Sequence, residues 1–207
     1  VGALGAGVAA LVSRAGAKAA EAVVESTLTA SVTSFSGVIA LGPFNKAQLK
    51  MAVYGADASG QQVRMVDTTV ETDATGQYTI TLEGPYQYYA GPILVVMSDA
   101  NPSTNDFRSE ATGAEVPLGA LRLRAAGYIE RSGETTLNIT PLTELAVRSA
   151  LGSKADSEGM VMPSREAINT ASTHVAQAFG LGKNSSVTDA SVKTVLDSGF
   201  NAADSSV

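Results

Sequence analysis

The chain of 207 residues contains no cysteine, no tryptophan and a single histidine, His174. Without cysteine there can be no disulfide, thiolate metal site or cysteine nucleophile. A histidine-based zinc site needs further histidine or cysteine ligands, so the sequence predicts no such metal centre. The longest apolar stretch, residues 1–12, is shorter than the roughly 18–20 residues that cross a bilayer. We therefore expect no membrane span.

Charge is also scarce. Charged residues make up 16% of the chain and the net charge is −6, whereas an ordinary domain carries roughly 25% charged residues. The most basic stretch is 121–124 (LRLR), where charge alternates with leucine, which predicts a strand with one solvated face. A nucleic-acid partner requires a clustered cationic face, so we expect no such partner.

Small and β-branched residues dominate what is present, and 44% of the chain is hydrophobic. Residues 1–26 are rich in glycine and alanine, and their spacing over 9–24 predicts a marginal helix. Residues 27–139 carry short alternating or apolar segments separated by turns, which predicts a β-sandwich. The predicted strands cover residues 27–33, 35–41, 48–54, 63–71, 78–82, 92–97, one or two strands within 118–129, and 134–139.

The pattern becomes helical over 140–207. Thr140 precedes Pro141, a typical helix start, and this helix is expected to end near Leu151. A second helix is predicted from a Ser164 cap to Phe179. Residues 187–207 are polar and weakly patterned, and a truncated chain is one interpretation of their end.

Three segments together resemble a known type of module. These are residues 32–38 (VTSFSGV), 47–54 (AQLKMAVY) and 72–80 (TDATGQYTI). They are similar to the carboxypeptidase-regulatory-like and Ig-like modules of bacterial exported surface proteins, and residues 139–146 resemble the segment that comes after such modules in bacterial surface lipoproteins. The resemblance implies an Ig-like or transthyretin-like β-sandwich. It also implies a role as a stalk, spacer or adhesive unit outside the bacterial cell or on its surface.

Catalytic equipment is not evident. A Ser-His-Asp triad needs three groups brought together, and no nucleophile elbow accompanies His174, which is expected on a polar helix face. The acid pairs Glu71 with Asp73 and Glu110 with Glu115 are expected in turns or at strand edges, without the tryptophans usual in sugar-cleaving clefts. We therefore predict that the chain is not an enzyme and holds no cofactor.

The loop after Asp99 has partial calcium-loop spacing. Its oxygen-bearing side chains are Asp99, Asn101, Ser103, Asn105 and Glu110. Thr104 stands where such a loop needs glycine for its sharp turn, and the flanks are not predicted helices. The sequence favours a plain polar loop and leaves calcium binding open.

Self-association is the leading functional hypothesis, because a marginal helix followed by the alternating segment 27–33 could serve as an arm. Added to the open sheet edge of a neighbouring copy, such a strand gains main-chain hydrogen bonds. Its assembly residues would be Leu28, Ala30 and Val32. A contact of this kind extends into a filament, pilus-like fibre or surface layer when it does not close. The alternative is that residues 27–33 complete their own sheet.

A second hypothesis is a monomeric stalk or binding module within a larger surface protein. Tyr86, Tyr88 and Tyr89 come directly after the turn at 84–85 and are candidates for stacking on a carbohydrate. The simpler interpretation is a hairpin end with partly buried tyrosines. The two hypotheses differ in the mass that they predict in solution.

Overall fold

The computed structural model describes residues 30–42, 44, 47–109, 111–154, 160–180 and 187. Within these ranges the chain is mainly β, and its strands are followed by two helices. The helix predicted over 9–24 lies outside the described residues, as does the tail predicted over 187–207 except for Val187. The elements are β1 Ser34–Val38, β2 Gln48–Ala56, β3 Gln62–Glu71, β4 Gln77–Thr81, β5 Gly91–Asp99, β6 Phe107–Arg108, β7 Glu115–Val116, β8 Arg122–Ile129, β9 Glu134–Thr136, α1 Pro141–Leu151 and α2 Arg165–Ala178.

The strands form two larger sheets and one small hairpin. The first sheet has the order β4-β1-β9, in which β1 is antiparallel to β4 and parallel to β9. The second has the order β3-β2-β5-β8 and is antiparallel throughout. Strands β6 and β7 pair only with each other among the named strands. Among the named strands, β4, β9, β3 and β8 therefore have a neighbour on one side only, and the segment around Val161 bridges to Gln61 just before β3.

One hydrophobic cluster is shared by the two larger sheets. Alternation explains it: on β2 the side chains of Leu49, Met51 and Val53 are fully buried, and Lys50 between them is exposed. In the same way, alternate side chains of other strands of both sheets contribute to this cluster. The cluster includes Phe35, Leu49, Met51, Val53, Tyr78, Ile80, Ile93, Val95, Met97, Leu123, Ala125 and Ile129.

The middle strand β5 is buried on both faces. Ile93, Val95 and Met97 point into the cluster shared by the sheets, and Leu94 and Val96 belong to a second cluster with the helical region. The prediction that the apolar run 92–97 is a doubly buried strand is confirmed. The helices thus cover the outer face of the four-stranded sheet, with Val147 and Ile168 as their contributions to this second cluster.

Two turns of closely similar sequence, 57–60 (DASG) and 73–76 (DATG), flank β3. In the first, Asp57 Oδ1 accepts hydrogen bonds from the backbone N–H groups of Ser59 (2.8 Å) and Gln61 (2.9 Å). In the second, Asp73 Oδ1 accepts from Thr75 (2.8 Å) and Gln77 (3.0 Å). These side-chain bonds replace backbone partners and set the entry into the following strand. The hydroxyl groups of Ser59 and Thr75, followed by the backbone donors, lower the pKa of the two carboxyl groups.

Both helices begin as predicted. The Thr140 hydroxyl accepts from the N–H of Leu142 and Thr143, and Pro141 occupies the first turn. The Ser164 hydroxyl accepts from the N–H of Ala167 (3.1 Å) and begins α2. These caps satisfy backbone donors that the first helical turn leaves unpaired.

Some local predictions need correction. The strand predicted over 35–41 ends at Val38, and the polar loop predicted after Asp99 includes β6, which pairs with β7. Residues 30–33 are not part of a strand, and the rest of the segment 27–33 lies outside the described residues. A two-residue strand has no periodicity to detect, which explains why β6 and β7 were missed.

Candidate functional site

The chain enters the first sheet at Thr33, whose side chain is fully buried. Its N–H donates to the carbonyl oxygen of Gln87 (2.7 Å) and its hydroxyl donates to that of Tyr89 (2.9 Å). Its own carbonyl accepts from the N–H of Leu82 (2.9 Å). Three hydrogen bonds therefore fix the position of Thr33 at the start of the first sheet.

Just before this anchor the apolar side chains face solvent. Val32 is 42% exposed and Ala30 is exposed as well. Leu28 lies outside the described residues. In the described part of the predicted assembly strand, it is Thr33 that is buried and Val32 that is accessible. The assignment of Leu28, Ala30 and Val32 as assembly residues stays a prediction, and its two described members, Ala30 and Val32, are exposed.

The three predicted stacking tyrosines have different roles. The Tyr89 hydroxyl accepts from the N–H of Ala56 (2.8 Å) and donates to the carbonyl of Pro92 (2.7 Å). Burial raises the pKa of this phenol. Tyr86 and Tyr89 are partly buried against the main cluster, whereas Tyr88 is 52% exposed. The simpler interpretation, partly buried tyrosines at a connection between strands, therefore holds for Tyr86 and Tyr89.

Two strand edges lie side by side on one flank of the molecule. Strand β4 ends the first sheet and β3 ends the second. Within the described residues β4 has no strand on its outer side, and β3 has only the short segment around Val161, which bridges to Gln61 at the start of the strand. Between β4 and β3 runs a groove of about 360 Å³. Its lining side chains come from both strands and the residue-83 loop: Met65, Val66, Thr68, Val70, Thr79, Ile80, Thr81 and Glu83.

The loop with partial calcium spacing is held by its own backbone. Asp99 accepts from the N–H groups of Asn101 (2.7 Å) and Gly119 (2.9 Å), one on each carboxylate oxygen. The Asn101 side chain accepts from the N–H of Ser103 (3.2 Å). Asp106, absent from the predicted ligand set, is fully buried and accepts from the N–H of Leu118 (2.8 Å). The described acidic groups of this loop thus act as backbone caps.

The candidate catalytic groups do not converge. His174 is exposed on α2, beside a shallow groove of about 440 Å³ that also contains Glu166 and Ser149. Asp73 is engaged in its turn, Glu71 is exposed at the end of β3, and Glu110 lies outside the described residues. Across the ranges that the structure describes, no three histidine, aspartate or glutamate side chains are grouped to hold a metal ion.

A buried ion pair joins the second sheet to α1, and the sequence reasoning missed it. The alternation of residues 121–124 predicted a solvated face, yet Arg124 is only 1% exposed because α1 covers it. Its Nε and Nη2 atoms donate to the two oxygens of Glu144 at 2.9 and 2.6 Å. Arg148 Nε also donates to Glu144 (2.8 Å). Only Arg122 of the two predicted arginines faces solvent.

The ionisation of Glu144 reflects two opposing effects. Burial disfavours its charge, but the hydrogen bonds and positive charges of Arg124 and Arg148 outweigh burial and hold its pKa below the ordinary value. Sequence alone could not pair residues twenty positions apart across a strand and a helix. This network joins β8 to α1, and both carboxylate oxygens of Glu144 accept hydrogen bonds from arginine.

No described helix combines the length and the apolar composition that crossing a bilayer requires. Comparison with known proteins gives no match to a family model, to a curated protein or to a solved structure. A function for this chain therefore has to be inferred from its own geometry.

Proposed function

We propose that this chain is a structural subunit that associates with copies of itself outside the bacterial cell or on its surface. The proposed fold is a β-sandwich of the Ig-like or transthyretin-like kind. It is supported by the single hydrophobic cluster to which both larger sheets contribute. The proposed assembly is a filament, pilus-like fibre or surface layer, formed by an N-terminal arm that adds to a neighbour. The low charge content supports such a role outside the cell.

The observation that carries the proposal is the contrast between Thr33 and the residues directly before it, where the N-terminal arm (residues 1–32) joins the sheets. Thr33 is bonded into the sheets at three points, while Val32 and Ala30 immediately before it are exposed. The preceding residues alternate apolar and hydroxyl side chains, the pattern of a strand with one face to bury. The arm is fixed at Thr33 and its apolar side chains are exposed directly before that residue. This arrangement fits an arm that is exchanged between copies better than it fits a chain that stays monomeric.

Removing the arm tests this function. A variant that lacks residues 1–32 keeps Thr33 and its bonds, so the sheets should still form. We expect the full chain to give polymers in negative-stain electron microscopy and the shortened chain to give none. Polymers of unchanged number and form in the shortened chain would overturn the arm model. Circular dichroism of the shortened chain is the control for folding.

The second candidate, a monomeric stalk or binding module with a carbohydrate or protein partner, is supported only by Tyr88. The Tyr88 ring is exposed. Tyr88 lies close to Thr33, because the neighbouring residue Gln87 accepts a hydrogen bond from the Thr33 N–H. In this case the full chain would remain a single chain at high concentration. It would bind an immobilised glycan in a manner that Tyr88→Ala abolishes and Tyr86→Phe leaves unchanged.

A further inference from the structure

We propose that the edge of β4 that has no strand neighbour among the described residues, with the groove between β4 and β3, accepts residues 27–32 of a second copy of this chain. The proposal rests on the self-association proposed above and identifies its acceptor surface. Four features of the described residues support it: the unpaired backbone of β4, its lack of charge, the half-buried floor of the groove and the direction in which the arm leaves its own sheet.

The backbone of β4 has donors and acceptors that point away from β1. The bonds from Leu82 N–H to Thr33 and from Ile39 N–H to Gly76 show that the even-numbered residues from 76 to 82 face β1. In an antiparallel pair, alternate residues bond to the neighbour and the others face the opposite side. The N–H and C=O groups of Thr79 and Thr81 therefore face outward. They can pair with an incoming strand as they would with a sheet neighbour.

Charge distinguishes β4 from β3. Proteins protect open edges with charged residues, proline or bulges. Strand β3 carries exposed charge along its length, with Arg64 bonded to Asp67 and Glu71 at its end. Strand β4 has the sequence QYTIT and carries none. The arm segment 27–33 (TLTASVT) is equally free of charge, so these two strands can pair without burying a charge carried by either strand.

The groove beside β4 has an apolar floor. Met65, Val66 and Val70 are half-buried and pack against the main cluster from the β3 side. A strand added to β4 would place alternate side chains over this floor and the others outside. With Thr29 and Ser31 on the outer face, Leu28, Ala30 and Val32 would cover the floor. The alternation of the arm matches a surface with one apolar side.

The direction of the arm favours a neighbour over its own chain. Ser34 pairs with Thr81, and Thr33 bonds to Leu82, so the strand direction at Thr33 points beyond the end of β4. To lie along the outer edge of the same β4, the segment would have to reverse within residues 28–32. Such a reversal would use up the residues that must form the strand. A second copy can provide the segment without this turn.

Disulfide trapping tests the acceptor directly, because the natural chain has no cysteine. A Thr29→Cys chain labelled with heavy isotopes is mixed with an unlabelled Thr79→Cys chain and oxidised. We expect a mixed disulfide dimer, identified by mass spectrometry, because paired strands bring such side chains within bonding range. The matched control is Thr69→Cys, an exposed threonine on the β3 edge, which should trap at least about tenfold less.

A proline variant provides an independent measurement. The N–H of Thr79 faces outward, so Thr79→Pro removes a donor to the incoming strand and leaves the bonds to β1 in place. We expect its unfolding midpoint in urea to stay close to that of the natural chain. Its association should weaken by about tenfold or more. The unfolding midpoint shows whether Thr79→Pro folds. If it does not fold, the disulfide-trapping experiment alone tests β4 as the acceptor.

The outcomes separate the acceptor from the proposed function. Arm-dependent polymers that persist in Thr79→Pro, or trapping at Thr69→Cys as strong as at Thr79→Cys, would overturn β4 as the acceptor and leave self-association standing. Trapping within single chains of a Thr29→Cys/Thr79→Cys variant would show that the arm pairs with its own sheet. Loss of the mixed dimer together with absence of any polymer would overturn both proposals.

Discussion

Arg124 and Glu144 form an ion pair between β8 and α1 that is almost closed to solvent. Their side chains are 2% and 12% exposed, and the Arg124 guanidinium donates to both carboxylate oxygens. Removing one partner of such a pair leaves an uncompensated charge in a poorly hydrated place. The stability of the helical layer therefore depends on keeping both charges or removing both.

Glu144→Gln is expected to lower the free energy of unfolding by about 3 kcal/mol, because it leaves the charge of Arg124 buried without its counterion. Urea denaturation monitored by circular dichroism measures this change. The matched control is Glu130→Gln, which breaks the exposed pair with Arg165 and should change stability by less than about 1 kcal/mol. Equal effects of the two substitutions would contradict the role assigned to the buried pair.

The Glu144 carboxylate also makes the free energy of unfolding depend on pH. Burial alone would raise the pKa of folded Glu144, but Arg124 and Arg148 stabilise the charge and hold this pKa below its ordinary value of 4.5. Its contribution to stability is therefore fully present above pH 4.5 and is lost as the pH falls through the folded pKa. The free energies of unfolding of the natural chain and of Glu144→Gln should differ most near neutral pH and converge as the pH falls below 4.5 through the folded pKa of Glu144. A stability difference that grows as the pH falls would contradict this prediction.

Gly60 and Gly76 occupy the same place in the two Asp-x-x-Gly turns but differ in their surroundings. Both have positive φ, 81° and 75°. A Cβ on Gly60 meets nothing within 4 Å, whereas one on Gly76 would clash with the Ile39 carbonyl oxygen. Gly60→Ala should cost about 1–2 kcal/mol of stability from backbone strain alone. Gly76→Ala should cost about 2 kcal/mol more, and equal midpoints in urea would contradict this difference.

Among the elements, those with clear periodicity were predictable. The alternation over 48–54 and the apolar run over 92–97 correspond to β2 and β5, and the Thr140 cap with Pro141 gives the start of α1. The sequence could not predict which element packs over which. Residues 121–124 have the pattern of a half-solvated strand, and Arg124 is buried only because α1 packs over it.

The packing of α2 on the second sheet can be tested at one side chain. Ile168 is 5% exposed and contacts the cluster that includes Leu94 and Met162. Ile168→Ala should lower the free energy of unfolding by about 2–5 kcal/mol, through lost burial and the cavity that remains. Leu145→Ala, at a helix position that is 43% exposed, should change it by no more than about 0.5 kcal/mol. The reverse order in urea unfolding would contradict this packing.

At the scale of the whole molecule, the sheets are covered unequally. The helices protect the outer face of the four-stranded sheet near β5 and β8, and the flank formed by β3 and β4 carries an open groove. The alternation of residues 27–33 made the arm predictable as a candidate. The acceptor could not be predicted, because which strands end a sheet depends on pairings such as β1 with β9, about a hundred residues apart in sequence.

Light scattering coupled to size-exclusion chromatography tests the proposed self-association most directly. The full chain and the variant lacking residues 1–32 are compared over a range of concentrations. We predict a mass of several chains that rises with concentration for the full chain, and the mass of a single chain for the variant. A full chain that stays monomeric at every concentration would contradict self-association, and a variant that assembles like the full chain would contradict the arm.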